Sequence, residues 1–179
     1  MQVTVITPTL PERSQLLERC KASVLAQTEE CAHLVAVDHE RQGPVRFRNF
    51  LVREEAETEW ILPLDDDDTL DPDCVQTLLD HSEDAEIVYP FCRMVGRTDG
   101  WVPNKLFTAD ALFKQNFIPV TALIKRDLFL MLGGYQDVPL EDWALWQWAY
   151  LHGATFRCVP ETLWSYHHGP HQEFQREAA

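Results

Sequence analysis

No apolar run in this chain approaches the roughly 18 residues that a membrane-spanning helix needs. The opening segment Met1–Thr9 (MQVTVITPT) has no basic flank, and no small-residue cleavage site follows a long apolar core. It therefore reads as a first strand, not a secretory signal. Positive charge is scarce: 15 Lys and Arg stand against 29 Asp and Glu, for a formal net charge of -14. That balance argues against a nonspecific grip on nucleic acid or on an anionic membrane. It leaves room for a nucleotide, because a bound divalent cation reverses the local sign of a carboxylate-lined site. Paired cysteines are absent too. Cys20, Cys31, Cys74, Cys92 and Cys158 are scattered, odd in number and never in C-x-x-C spacing. They are expected to be buried reduced thiols in a cytoplasmic protein, with neither a disulfide framework nor a zinc site. There is no internal repeat, low-complexity tract or linker, and 179 residues with 45% hydrophobic content predict a single domain with a sizeable core.

What is present alternates between two periodicities. Val3–Ile6 is a short β-branched strand that Thr7-Pro8-Thr9 is expected to break. Leu16, Leu17, Cys20 and Val24 then recur at helical spacing across Pro11–Gln27. A second strand, His33–Val37, ends in Asp38. Gly43-Pro44 punctuates, and Val45–Glu57 reads as a helix. A third, buried strand, Trp60–Leu64, runs straight into Asp65-Asp66-Asp67-Asp68. Asp71-Pro72 predicts an N-cap with proline at the first helical position. Strand, helix, strand, helix, strand, helix is the signature of an α/β domain with a largely parallel sheet, whose ligands sit beyond the carboxyl ends of the strands. Thr7, Asp38 and the four aspartates all fall just past strand ends. Further on, Glu86–Val95 and Val120–Ile124 read as strands, and Gly96–Asn104 as a polar loop carrying Trp101. Asp127–Leu132 is a short helix closed by Gly133-Gly134, and Glu141–His152 an aromatic-rich helix closed by Gly153. Thr155–Val159 and Leu163–Tyr166 finish the sheet. The polar residues from Gln172 are expected to fray.

Three segments carry chemistry. Four adjacent carboxylates resist ionising together unless a cation is present, and a hard metal such as Mg2+ or Mn2+ needs only one or two of them. A solvated turn that caps the next helix is the competing reading. An EF-hand starting at Asp65 is excluded, because its sixth and twelfth positions hold Leu70 and Gln76 in place of glycine and glutamate. The second segment places Glu141 and Asp142 in the first turn of a helix. There they complement the helix dipole, or the dipole keeps Asp142 charged as a proton acceptor. In the third, His167, His168 and His171 can offer a neutral imidazole to a metal.

Together these segments resemble the family 2 glycosyltransferases of GT-A fold, from Val3 to about His168. Val3–Thr28 is similar to the family's opening, and Val35–Asp38 to its second strand. Arg48-Asn49 matches the pair that opens the helix before the metal motif. Trp60–Pro72 (WILPLDDDDTLDP) resembles the Asp-x-Asp-Asp block, and Leu132–Phe156 is the closest match. The resemblance implies a Rossmann-like nucleotide-diphospho-sugar transferase fold, with a mixed, mostly parallel central sheet flanked by helices. It implies that Thr7, Pro8, Asp38, Arg48, Asp65 and Asp66 hold the nucleotide, and that Asp67 and Asp65, with His167 or His168, hold Mn2+ or Mg2+. Asp142 would be the base, with Glu141 beside it.

The resulting expectation is a single catalytic domain, 1–179. A nucleotide-binding half spans about 1–95, an acceptor and catalytic half about 96–170, and a polar tail 171–179. It would move a sugar from a nucleotide diphosphate, expected to be UDP, onto an acceptor hydroxyl with inversion. A nucleotidyltransferase on a similar sheet is one alternative, although residues 7–13 contain no glycine to build a triphosphate loop. A noncatalytic metal- or sugar-binding module is the other, and such a binder has no need of a carboxylate at Asp142.

Overall fold

The computed structural model describes residues 1–96 and 104–168, with the His168 side chain outside that description. Residues 97–103 of the expected loop, Trp101 among them, and the tail from Gln172 also lie outside the described residues. The elements in chain order are β1 (Val3–Thr9), α1 (Ser14–Leu25), β2 (Ala32–Val37), α2 (Pro44–Phe50), β3 (Trp60–Pro63), β4 (Thr69–Leu70), α3 (Cys74–Asp80), β5 (Ile87–Gly96), α4 (Ala109–Lys114), β6 (Leu123–Lys125), α5 (Arg126–Met131), α6 (Glu141–Leu151) and β7 (Phe156–His168). The seven strands form one sheet in the order β2-β1-β3-β6-β5-β7-β4. The long ladders are parallel: β1 with β2, β1 with β3, and β5 with β7. The short contacts of β6 with β3 and β5, and of β4 with β7, are antiparallel. The expected mixed, mostly parallel sheet is present.

The strands sort their side chains by the two-residue pleat. Val3, Val5, Leu62, Leu64 and Val88 face one core, which also takes Cys20 and Val24 of α1 and Val75 and Leu78 of α3. Ile6, Ile61, Ile87, Tyr89 and Ile124 face the other, packed by Leu112 of α4, Phe129 of α5 and Trp146 of α6. With helices on both faces, β1 is buried at every position, as a strand inside a parallel sheet is. All five cysteines are unpaired. Among the described residues no helix is long and apolar enough to cross a membrane.

Several boundaries differ from the sequence expectation. Thr7-Pro8-Thr9 does not break β1, which stays paired with β2 as far as Thr9 and Val37. Ile6 accepts a hydrogen bond from Leu64 on the β3 side. Pro8, two residues on, turns its missing N–H the same way, where β3 has already ended. Asp71-Pro72 does not start a helix. The Asp71 carbonyl instead accepts from Cys74 N in a turn, its carboxylate faces Arg93, and α3 begins at Cys74. The strand expected over Val120–Ile124 is shorter, because Ala122 N turns back onto the Val120 carbonyl. The two strands expected at the end are one, β7, with register shifts opposite Pro90–Cys92 that absorb the irregular stretch between them. The helix expected over Val45–Glu57 is α2 followed by a wider π turn over Leu51–Glu55.

Candidate functional site

A cavity of about 440 Å³ opens beyond the carboxyl ends of β1, β2 and β3. β1 contributes Pro8 and Thr9, and the segment after β2 contributes Asp38, Arg41 and Gly43. α2 adds Arg48, the acidic turn Asp65–Asp67, and α6 Glu141. Three arginines, Arg13, Arg41 and Arg48, line one cavity of a protein whose net charge is -14. The same lining carries Asp38, Asp65, Asp66, Asp67 and Glu141, so an anionic ligand gains from this cavity only where a bound cation offsets those carboxylates.

The four aspartates have separate partners. Asp66 is held by Arg13, whose Nε lies 2.9 Å from both carboxylate oxygens and whose Nη2 lies 2.6 Å from Oδ1. Thr9 Oγ1 donates to Asp66 Oδ2 at 2.5 Å. The same Arg13 Nη2 lies 2.8 Å from Asp67 Oδ2. Burial works against the Arg13 charge, but Asp66 and Asp67 more than offset it and keep the guanidinium protonated. Asp65 pairs with Arg48. Asp68 is fully buried, and its Oδ1 accepts the His167 N–H at 2.8 Å. Its Oδ2 has no partner among the described residues.

One oxygen each of Asp65, Asp67 and Asp68 lies within 4.8 Å of the others. Burial first, then the neighbouring carboxylates, push Asp68 well above the usual carboxylate range, and burial and Asp65 raise Asp67. An all-carboxylate oxygen set with a buried, unpartnered oxygen fits a hard divalent cation such as Mg2+ or Mn2+. Of the residues expected to hold metal, Asp65 and Asp67 come together here. Asp68, which the sequence placed at the same strand end without a ligand's part of its own, joins them. His167 meets the cluster through its backbone, and its ring is not among the grouped ligand atoms. His168 falls outside the described side chains.

Arg48 ties the two halves of the chain together. It is buried, it pairs with Asp65 and, at 2.7 Å, with Glu141 of α6, and its guanidinium sits 5.5 Å from the centre of the Tyr135 ring. Burial opposes its charge, and Asp65, Tyr135 and Glu141 outweigh that opposition. The next residue, Asn49, clamps the chain after α5. Its amide donates to the Tyr135 carbonyl at 2.8 Å and accepts from Tyr135 N at 2.9 Å.

Asp38 is buried, with Oδ1 accepting Glu40 N at 3.2 Å and Oδ2 accepting Gly43 N at 2.8 Å. Burial opposes its charge, but the backbone N–H groups from Glu40 to Gly43 prevail and hold it below the usual range. It therefore shapes the loop that frames the cavity. Thr7 does not line the cavity. It shares a face with Val3 and Val5, and its hydroxyl is hydrogen-bonded to His33 Nε2 at 2.9 Å and approaches Cys20 Sγ at 3.8 Å.

Asp142 sits in the first turn of α6, but it is Glu141 that reaches the cavity wall. Asp142 Oδ1 accepts Trp143 N at 2.8 Å, and Asn116 Nδ2 lies 3.2 Å from Oδ1 and 3.4 Å from Oδ2. The expectation that the helix dipole dominates this carboxyl is corrected. Burial, opposed by the Trp143 N–H and reinforced by Glu141, pushes it up to about 6. That value lies close to neutrality, where a general base works best.

The sequence reading missed Thr9, Arg13 and Asn116, and gave Asp68 no part of its own within the acidic run. An arginine one turn past β1, facing an acidic run that follows a parallel neighbour, was a signal for Arg13. Asn116, alone between α4 and a buried apolar stretch, carried none.

The sequence profile of glycosyl transferase family 2 matches residues 34–133. No curated protein matches the chain. Among solved structures, residues 1–349 of TarS from S. aureus superpose with a TM-score of 0.78 at 16% identity, over 93% of this chain and 60% of that one. The same protein in complex with UDP-GlcNAc gives a TM-score of 0.77 at 16% identity, over 97% and 61%. The mannosyltransferase PcManGT from Pyrobaculum calidifontis, in complex with GDP-Man and Mn2+, gives 0.66 at 19% identity, over 92% and 56%. The chain thus spans less than two thirds of the length of each of these structures. At such identities the likeness establishes the fold, which is GT-A.

Proposed function

The chain belongs to glycosyl transferase family 2, and from that premise we propose that it transfers a sugar from a nucleotide diphosphate, UDP in the first instance, to an acceptor hydroxyl with inversion. The observation that carries this reading is the cavity beyond β1, β2 and β3, where Arg13, Arg41, Arg48, Asp65 and Asp67 line one space and buried Asp68 completes a set of carboxylate oxygens with Asp65 and Asp67. It is also supported by the ligands of the structural neighbours: UDP and UDP-GlcNAc in TarS, GDP-Man with Mn2+ in the mannosyltransferase.

In this reading residues up to about 95 hold the donor and the later half presents the base. Pro8, Thr9 and the Asp38 loop frame the nucleoside. Asp65, Asp67 and Asp68 hold Mn2+ or Mg2+, which supplies Lewis-acid stabilisation of the departing diphosphate. Arg13 engages both Asp66 oxygens and also reaches Asp67, so the cation would share Asp65 and Asp67 with Arg48 and Arg13, and Asp68 Oδ2 is the oxygen without a partner among the described residues. Glu141 is engaged in an ion pair with Arg48, and this favours Asp142 over Glu141 as base. Inversion is a single displacement, so Asp142 takes the acceptor proton on the side opposite the leaving group.

The test is incubation with a panel of UDP-, GDP- and TDP-sugars in Mn2+, reading nucleotide diphosphate release. Release from at least one donor supports the reading, and its absence across the panel, with and without simple saccharide acceptors, overturns it.

A further inference from the structure

The helix that carries Asp142 is fastened to one particular segment. Trp143 Nε1 donates to the Leu112 carbonyl at 2.6 Å, and Trp146 Nε1 donates to the Ile118 carbonyl at 3.2 Å. These two anchors flank Asn116 in sequence, and Phe117 and Ile118 beside it are fully buried. Asn116 is thereby fixed relative to α6, and its side-chain nitrogen is held within reach of both Asp142 oxygens.

We propose that Asn116 is the positioning residue for Asp142: its amide orients the carboxylate so that Oδ2 is the oxygen left to receive a proton. The inference rests on the assignment of Asp142 as base. Oδ1 takes two donors, Trp143 N at 2.8 Å and Asn116 Nδ2 at 3.2 Å, whereas Oδ2 has, among the described residues, only the longer contact of 3.4 Å. Oδ2 therefore keeps the more available lone pairs. In the transfer the acceptor O–H proton passes to Oδ2 as the acceptor oxygen bonds the anomeric carbon. The bond from that carbon to the diphosphate oxygen breaks, and its electron pair leaves with the diphosphate.

The groups around Asp142 show why such a donor matters. Burial and Glu141 favour its neutral form, and Tyr135 lies near enough to feel its charge. Trp143 N, Asn116 and Arg48 favour the ionised form. Asn116 belongs to the set that keeps the carboxylate available as a base.

The experiment is a 13C NMR titration of the protein labelled at aspartate carboxyl carbons, with the Asp142 signal assigned by its absence in Asp142→Asn. In Asn116→Leu, similar in shape but without a donor, the Asp142 midpoint is expected to rise by about one unit, the order of a lost hydrogen bond to a charged group. In Asn116→Asp, which keeps the shape and serves if the leucine variant does not fold, two carboxyls share one proton and the upper step rises further. Binding of UDP in Mn2+ is expected to be unchanged in both. An unmoved midpoint in a folded variant overturns the positioning role. Near-normal turnover in Asp142→Asn overturns the base assignment instead, so the two failures are distinguishable.

Discussion

Replacing Gly134 with alanine places a Cβ inside contact distance of Asn49 Oδ1 and 2.9 Å from Phe129 Cε1. The backbone there has φ +76, in the left-handed region. Gly133 next to it has φ +83, but a Cβ at that position meets nothing nearer than Gln136 Nε2 at 3.9 Å. Gly133→Ala therefore isolates the conformational penalty, about 1–2 kcal/mol. Gly134→Ala carries the same penalty and also drives the Asn49 amide off the Tyr135 backbone. Two hydrogen bonds at about 1 kcal/mol each, with some overpacking against Phe129, bring its total to about 3–5 kcal/mol. Urea unfolding followed by tryptophan fluorescence reads both variants, and the difference between them is the clash. In an Asn49→Ala background most of that difference is expected to vanish, because the obstructing amide is gone. Equal losses for the two glycines, or no coupling to Asn49, would refute the reasoning.

Asp67→Ala is expected to abolish turnover with little change in the urea midpoint, since Ile61, Leu62 and Leu64 stay packed; nucleotide release against circular dichroism checks it. Asp142→Asn keeps the shape and removes the basicity, so the turnover rate is expected to fall by about a hundredfold or more, with UDP affinity little changed. Stability in chelator is expected to rise as pH falls from neutral into the mildly acidic range. Asp67 and Asp68 have folded pKa values above the unfolded ones, so their stabilising protons are fully present below the unfolded pKa and lost as pH rises through the folded one. Thermal melts of wild type and Asp68→Asn check this, the variant giving the flatter dependence. Asp38 acts in the opposite sense, its contribution being lost only as pH falls through its lowered pKa.

Much of this was legible from periodicity. The alternation of Val3, Val5 and Ile6, the run Trp60–Leu64 and the Gly133-Gly134 stop each follow from local geometry, and they place the acidic turn at a strand end. Two elements went unread because they are short. β4 is only Thr69–Leu70, and α4 spans Ala109–Lys114, although Thr108 Oγ1 accepting Ala111 N at 3.1 Å is a capping signal its sequence did carry. The division of labour among Asp65, Asp66, Asp67 and Asp68 was beyond local reading, since it is set by Arg13, Arg48 and the His167 backbone, which arrive from distant parts of the chain. Thr7 was misplaced although the pleat puts it with Val3 and Val5, on the face that packs Cys20. Trp143 and Trp146 turned out to be anchors of α6, their indole N–H groups bonding the carbonyls of Leu112 and Ile118.

The most direct measurement is calorimetric titration of UDP into the protein in Mn2+, repeated in excess chelator and with Asp67→Ala. Binding that needs both the cation and Asp67 is the predicted result. No heat with UDP, GDP or TDP in the presence of Mn2+, or equal binding in chelator, would contradict a site in which the carboxylates hold the cation and the cation holds the diphosphate.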